Sequence, residues 1–495
     1  DFASDLGINI PTGKDSLSMT QKYGDEKVYS PGTVIISAAA EVKNIRRIVS
    51  PVLAYIKGTY LYYIDFSFDT FKLGGSAFAQ TMGRVGDEVP TVNDSEYFKN
   101  AFAAVQELTS RGLILAGHDI SAGGLVTTLL EMCFANPQGG IEAHLDKIRH
   151  ADLIKILFSE NPGVVIQVKH HRLVEKILED YGVGFAIVAR PTEERKLVIA
   201  KEEFRQEFDI DQLRDIWYRS SYLLDRKQSG EKCAADRFAN YKQQPLQFSF
   251  NPSFTGKMED LALAPDRKER SGLTAAIIRD KGTNGEREMA YALHLAGFDV
   301  KDVHMTDLTS GRETLEEVQF AVFCGGFSNS DVLGSAKGWA GGFRYNEQAK
   351  AALTHFYARE DTLSLGICNG CQLMMELGLL YPEMGDSHPK MAHNLSHKFE
   401  SAFVSVEIPQ NESVLFRSLT GTRMGIWVAH GEGRFVLPES ESAYNIAAKY
   451  VYDEYPGNPN GSDHATAAVC SADGRHLAMM PHLERTIFPW QNAFY

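Results

Sequence analysis

The sequence predicts a chain of α/β and α+β class, built from more than one domain. Three observations carry this. Its 495 residues exceed what a single hydrophobic core usually serves. Strand patterns alternate with helical ones through most of its length. Glycine-rich turns sit between those elements, and in open α/β sheets ligands gather at such strand ends.

Taken in order, residues 1–44 read as a polar loop, PTGKDSLSM at 11–19, followed by a strand, GTVIISAAAEV at 32–42. Residues 45–228 form a second unit. In it the strand patterns TYLYYIDFS (59–67) and NPGVVIQV (161–168) alternate with the helical patterns SEYFKNAFAAVQELTSRG (95–112) and HHRLVEKILEDYG (170–182). The turns KLGGSAF and GHDISAGGL lie between them. Residues 229–272 are polar, carry three prolines and hold no sustained period, which predicts a linker running over a surface. From Leu273 a βα rhythm begins and continues to the end, with buried strands TAAIIRD, EVQFAVFCGGFS and TLSLGIC and later hairpin-like strands. That rhythm predicts a mainly parallel sheet over 273–495.

The totals narrow the function classes. A net charge of −14 argues against a nucleic-acid partner, which wants a basic face. No apolar run reaches the roughly eighteen residues of a membrane span, and the first residues form no signal peptide. The six cysteines are too few and too scattered for a disulfide framework, so a reducing cytoplasm is expected. The chain opens without an initiator Met and with a pattern under way, which predicts a piece of something longer.

Cys368 and Cys371, in SLGICNGCQLMMELGLL, admit three readings. A redox CxxC is one, though its usual setting is an early βαβ unit. A zinc site is another, but no second CxxC supplies the remaining ligands. The third is a nucleophile at a sharp strand-to-helix turn, with small residues on both sides and a helix N-terminus favouring the thiolate. A nucleophilic cysteine needs a base and a group to orient it. MMPHLER offers both: in an extended segment His482 and Glu484 would lie on one side, Glu484 fixing the tautomer of His482. The glycine turn CGGFS at 324–328 offers backbone N–H groups for an oxyanion. Each part alone is commonly structural; their order in one α/β segment favours the third reading.

On GICNGCQ, GGFS, IWVAHGEG, YPGNPNGS and MMPHLER, residues 273–495 resemble the class I, triad-type glutamine amidotransferases. The resemblance implies Cys368 as nucleophile, His482 and Glu484 as its partners, and Gly326 and Phe327 as oxyanion-hole amides. The chain departs from that pattern at Leu483, where proline is usual, and at Ala402, where arginine is common.

Upstream, GKDSLSM, LGGSAFAQ, GHDISAGGL and FSENPGVVIQV resemble a module like aminoimidazole ribonucleotide synthetase, an ATP-binding fold. Read from the residues alone, Asp119 and Ser121 are better explained as a helix cap. Read from the resemblance, Asp119 is a Mg²⁺ ligand and Ser121 an ATP contact, with Gly13, Lys14 and Ser16 in a loop near nucleotide. Ala122 stands where Asp is common. The two resemblances together imply the C-terminal part of the large, fused phosphoribosylformylglycinamidine synthase family. The substrates would be glutamine, ATP and formylglycinamide ribonucleotide, and the partner would be the missing N-terminal part of the same enzyme. A glutaminase serving another ATP-dependent synthase, and an inactive structural fragment, are the competing readings.

Overall fold

The computed structural model describes residues 2–14, 19–29, 34–243 and 246–493. The chain divides into two compact units, Asp1–Tyr218 and Arg219–Tyr495.

The first unit is an α+β layer structure. Its seven-stranded sheet runs Ile114–Asp119, Gly163–Val168, Tyr60–Asp65, Phe185–Thr192, Gly140–His144, Lys196–Lys201, Phe204–Asp209. All neighbours are antiparallel except Gly140–His144 and Lys196–Lys201. Alternation along the central strand explains its unbroken apolar sequence. Leu61 and Tyr63 join the core on one face, beneath helix Gly124–Phe134, while Tyr62 and Ile64 join the core on the other. On that second face helix Ser95–Ser110 buries Ala101, Ala104 and Leu108, one stripe of its surface. Asp94 caps it, accepting from the N–H groups of Glu96 and Tyr97 at 2.9 and 3.0 Å.

The strand expected at 32–42 is not found where it is described. Residues 34–42 are irregular, and Val34, Ile35 and Ile36 are each 86% exposed. The β-branched run has the propensity for a strand, but among the described residues no strand pairs with it, and a strand is stable only in a sheet.

The second unit is built on a nine-stranded sheet, in the order Asp299–His304, Thr274–Arg279, Phe320–Phe323, Leu363–Ile367, His476–Met479, Thr466–Cys470, Asn445–Tyr450, Glu400–Glu407, Arg423–His430. The first five strands are parallel and the remaining neighbours antiparallel, so the sheet is parallel over only part of its width. The reason is connection length. Thr466–Cys470 and His476–Met479 are joined by a short turn, which returns a strand antiparallel, whereas a parallel partner needs a long crossover. Within 229–272, helix Gly230–Ala239 buries Cys233 and Ala234, so that segment begins with a packed helix before it becomes irregular. No helix among the described residues is long and apolar enough to cross a membrane.

Candidate active site

Strands Phe320–Phe323, Leu363–Ile367 and His476–Met479 are adjacent and parallel, with Phe323 opposite Gly366 and Ile367 opposite Met479. The segments that leave their carboxyl ends therefore emerge side by side. They are the glycine turn after Phe323, Cys368, and the stretch from Met480 to Glu484.

Cys368 is the single residue between its strand and helix Asn369–Glu376, with φ 51° and ψ −109°. A side chain held there costs about 1–3 kcal/mol and persists only where the surroundings impose it. Here its N–H donates to the Met479 carbonyl at 2.9 Å and its carbonyl accepts from Gln372 N–H at 3.0 Å. The turn closes tightly because Gly370 has no side chain: a Cβ there would lie 2.0 Å from the Phe323 carbonyl oxygen. Cys368 is 7% exposed.

His482 is 2% exposed and sits beside that thiol. Its backbone N–H donates to the Trp427 carbonyl at 2.8 Å. Its Nδ1 and the Glu484 Oε1 are 2.6 Å apart, and Glu484 is as buried. The pair forms by a different local geometry from the extended one expected. Only His482 is extended; Leu483–Arg485 is a 3₁₀ turn, and that turn brings the carboxylate back to the ring. Leu483 opens the turn, a position at which proline also fits, so its departure from the pattern leaves the turn intact.

His430, at the end of strand Arg423–His430, completes the cluster and was not anticipated as a site residue. Its ring stacks on that of His482, centroids 5.7 Å apart at 19°. It is 2% exposed, and its ring has no partner other than the Cys368 thiol. The Cys368 Sγ and one nitrogen from each histidine lie within 4.8 Å of one another. The motif IWVAHGEG carried a signal for it, but only the fold shows that this histidine faces the thiol.

The electrostatics follow from that enclosure. Burial would raise the Cys368 thiol, but the interactions with His430 and His482 outweigh it and bring the thiol down to about 5. Burial would lower His482, but Cys368 and Glu484 together raise it to about 9. Between those values the two groups form a thiolate–imidazolium pair. Cys371 is fully buried, and burial pushes its thiol well above the ordinary value, so it packs in the core without thiolate character. All six cysteines are free.

The amides expected to face an oxyanion differ from each other. Gly326 adopts φ 125°, and a Cβ there would lie 2.5 Å from the Thr283 Cα. Its N–H has no recorded partner among the described residues. The Phe327 N–H is committed to the Gly282 carbonyl at 2.8 Å, which removes it as a free donor. The first amide of helix Asn369–Glu376 lies next to the sulfur and has no recorded partner among the described residues either. The Asn369 side chain ties the two loops together, its Oδ1 accepting from Ser328 N–H at 3.1 Å.

In the first unit, Asp119 ends strand Ile114–Asp119 and is exposed, as is Ser121. Neither caps the following helix, whose N-cap is Gly123 at φ 91° with no side-chain bond. Asp119 and His118 line a cavity of about 1110 Å³ together with Lys43 and Arg47. Gly13 and Lys14 lie in an exposed irregular stretch and do not line it, and Ser16 lies outside the described residues. Glu160 Oε1 accepts from Ala77 and Gly123 N–H groups, both at 2.8 Å, pinning two glycine-rich turns.

Residues 273–495 match the model of the CobB/CobQ-like glutamine amidotransferase domain. The chain carries a glutamine amidotransferase domain. Ahead of the amidotransferase domain, residues 69–202 match the C-terminal domain of AIR synthase related proteins. Across both, the chain is 38% identical over 517 residues to the probable phosphoribosylformylglycinamidine synthase, chloroplastic/mitochondrial, of Arabidopsis thaliana, covering 99% of this chain and 36% of that protein. It is 37% identical to the phosphoribosylformylglycinamidine synthase of Homo sapiens, covering 99% of this chain and 38% of that protein. The chain, amidotransferase domain included, thus spans less than two-fifths of the length of these curated relatives.

Proposed function

We propose that this chain hydrolyses glutamine at Cys368 and, within a longer protein, supplies the ammonia for ATP-dependent conversion of formylglycinamide ribonucleotide to formylglycinamidine ribonucleotide. The observation that carries the reading is the convergence of Cys368, His482 and Glu484 at a strained strand-to-helix turn. The relatives named for that synthase supply the acceptor.

The Cys368 thiolate attacks the carboxamide carbon, and the new oxyanion is met by the Gly326 and Asn369 amides. His482 hands its proton to the departing nitrogen while Glu484 holds the ring by Nδ1. Ammonia leaves, water enters, and His482 takes the proton from that water as it attacks the thioester. At the synthase site, ATP activates the formamide oxygen and ammonia displaces phosphate. Asp119 offers one exposed carboxylate in the cavity that Lys43 and Arg47 also line, which suits a nucleotide-bound Mg²⁺ that takes most of its ligands from phosphates and water. Bound there, the ion would neutralise phosphate charge. The free thiols fit a cytoplasmic setting.

A glutamine analogue carrying an electrophile at the carboxamide position is expected to alkylate Cys368 alone among the six cysteines, read by peptide mass mapping. Labelling spread over several cysteines, or none, would return the chain to the scaffold reading. The pH profile of glutamine hydrolysis is expected to be bell-shaped. Below about 5 the thiolate is protonated and attack fails; above about 9 the imidazolium is lost and ammonia leaves without a proton. An acid limb at the pH of an ordinary thiol, near 8.5, would show that the histidines do not activate Cys368.

A further inference from the structure

We propose that Cys368, His430 and His482 form a site for a thiophilic divalent cation of the Zn²⁺ class, and that the occupied site cannot hydrolyse glutamine. Among the described residues this is the sole group of three ligating side chains found close enough to hold a metal, and all three are buried. These ligands have no zinc spacing in the sequence because they come from three distant segments, joined only where the sheet sets strand ends together.

The donor set is the first argument. One sulfur and two imidazole nitrogens are a Zn²⁺ set of the kind that leaves a fourth position open. Their donor atoms lie within 4.8 Å of one another. Bond lengths of about 2.3 Å to sulfur and 2.0–2.1 Å to nitrogen place tetrahedral donors roughly 3.3–3.6 Å apart. Side-chain rotations of about an ångström close that gap. No group other than the Cys368 thiol engages the ring of the buried His430, so a lone pair is available to ligate. A buried imidazole short of partners is costly, and a bound cation satisfies it.

Second, the surroundings match a metal-binding histidine. The His482 Nδ1 is engaged by Glu484, leaving Nε2 as the ligating atom, the carboxylate–histidine–metal arrangement that orients a ligand ring. Glu484 Oε2 is itself buried without a partner. The thiolate and this carboxylate, which Arg485 Nε also approaches to 3.7 Å, supply the negative charge that a dication meets in the enclosed site. Binding releases the proton that His482 carries. The consequence for the reaction is direct: the sulfur is no longer free to attack, and His482 has no proton to give. Inhibition rests on the proposed glutaminase; metal binding does not.

The test uses the full chain, stripped of metal under reducing conditions and titrated with Co²⁺. The expected result is one equivalent bound, with a thiolate-to-cobalt charge-transfer band and tetrahedral d–d bands, displaced by Zn²⁺. Cys368→Ser should abolish the charge-transfer band, and His430→Ala should raise the Co²⁺ Kd more than about tenfold while circular dichroism stays that of the parent. Glu484→Gln should weaken binding about 10–100-fold, through the ring it orients. Cys371→Ser should bind as the parent does. A parent with no charge-transfer band, or a His430→Ala chain binding equally well, overturns the proposal. Cobalt binding without any glutamine hydrolysis in the metal-free parent would instead count against the glutaminase.

Discussion

Replacing Cys368 by alanine is expected to lower the rate of glutamine hydrolysis by at least about 10³-fold, while ammonia-driven amidation by the intact, longer enzyme persists. The two halves separate because Cys368 acts only on the carboxamide. The acceptor chemistry is done elsewhere and needs ammonia, whatever its source. The matched comparison is Cys371→Ser. Cys371 is fully buried with a raised thiol, so its substitution should cost some stability and little catalytic rate. Steady-state assays with glutamine and with ammonium salts decide the matter. Hydrolysis at the parent rate in Cys368→Ala removes the nucleophile, and equal losses at both cysteines would favour a paired redox or metal role.

Gly370→Ala is expected to lower hydrolysis at least about tenfold without touching any reacting group. The added methyl would stand 2.0 Å from the Phe323 carbonyl oxygen and 2.5 Å from its carbon, both backbone atoms of a central strand. Neither can rotate away, so the helix start must lift off the sheet. Overpacking of this kind costs about 1–3 kcal/mol. The displacement falls on the residue that must hold φ 51°, so the cost in activity should exceed the cost in stability. Thermal unfolding alongside glutaminase assays checks it: a Tm lowered by several degrees with hydrolysis reduced at least about tenfold is expected. A variant with parental Tm and parental rate would show that the turn tolerates bulk and that the glycine has no part in presenting the sulfur.

The elements themselves were legible in the sequence. Continuous apolar runs such as TAAIIRD and amphipathic runs such as 95–112 became a strand and a helix because burial and periodicity are local properties. The strand-to-helix turn at Cys368 was legible for the same reason, since glycines on both sides of a cysteine mark a steep turn. Val34–Ile36 shows where that logic stops. Propensity was strong, but a strand also requires a neighbour to pair with. Phe327 shows another limit: GGFS announces available amides, yet which amide is already bonded depends on Gly282, more than forty residues earlier.

By itself, then, the sequence determined the order of strands and helices, the turn that exposes Cys368 to its partners, and the pairing of His482 with Glu484, all set by neighbours in the chain. Tertiary structure alone decided that His430 stacks against His482 and faces the sulfur, that Glu160 anchors two turns, and that the sheet is parallel over only part of its width. The physical reason is that these depend on strand order and register. Residues far apart in sequence meet when parallel strands release them at one edge, and a buried histidine's charge and partners are set by what that edge encloses.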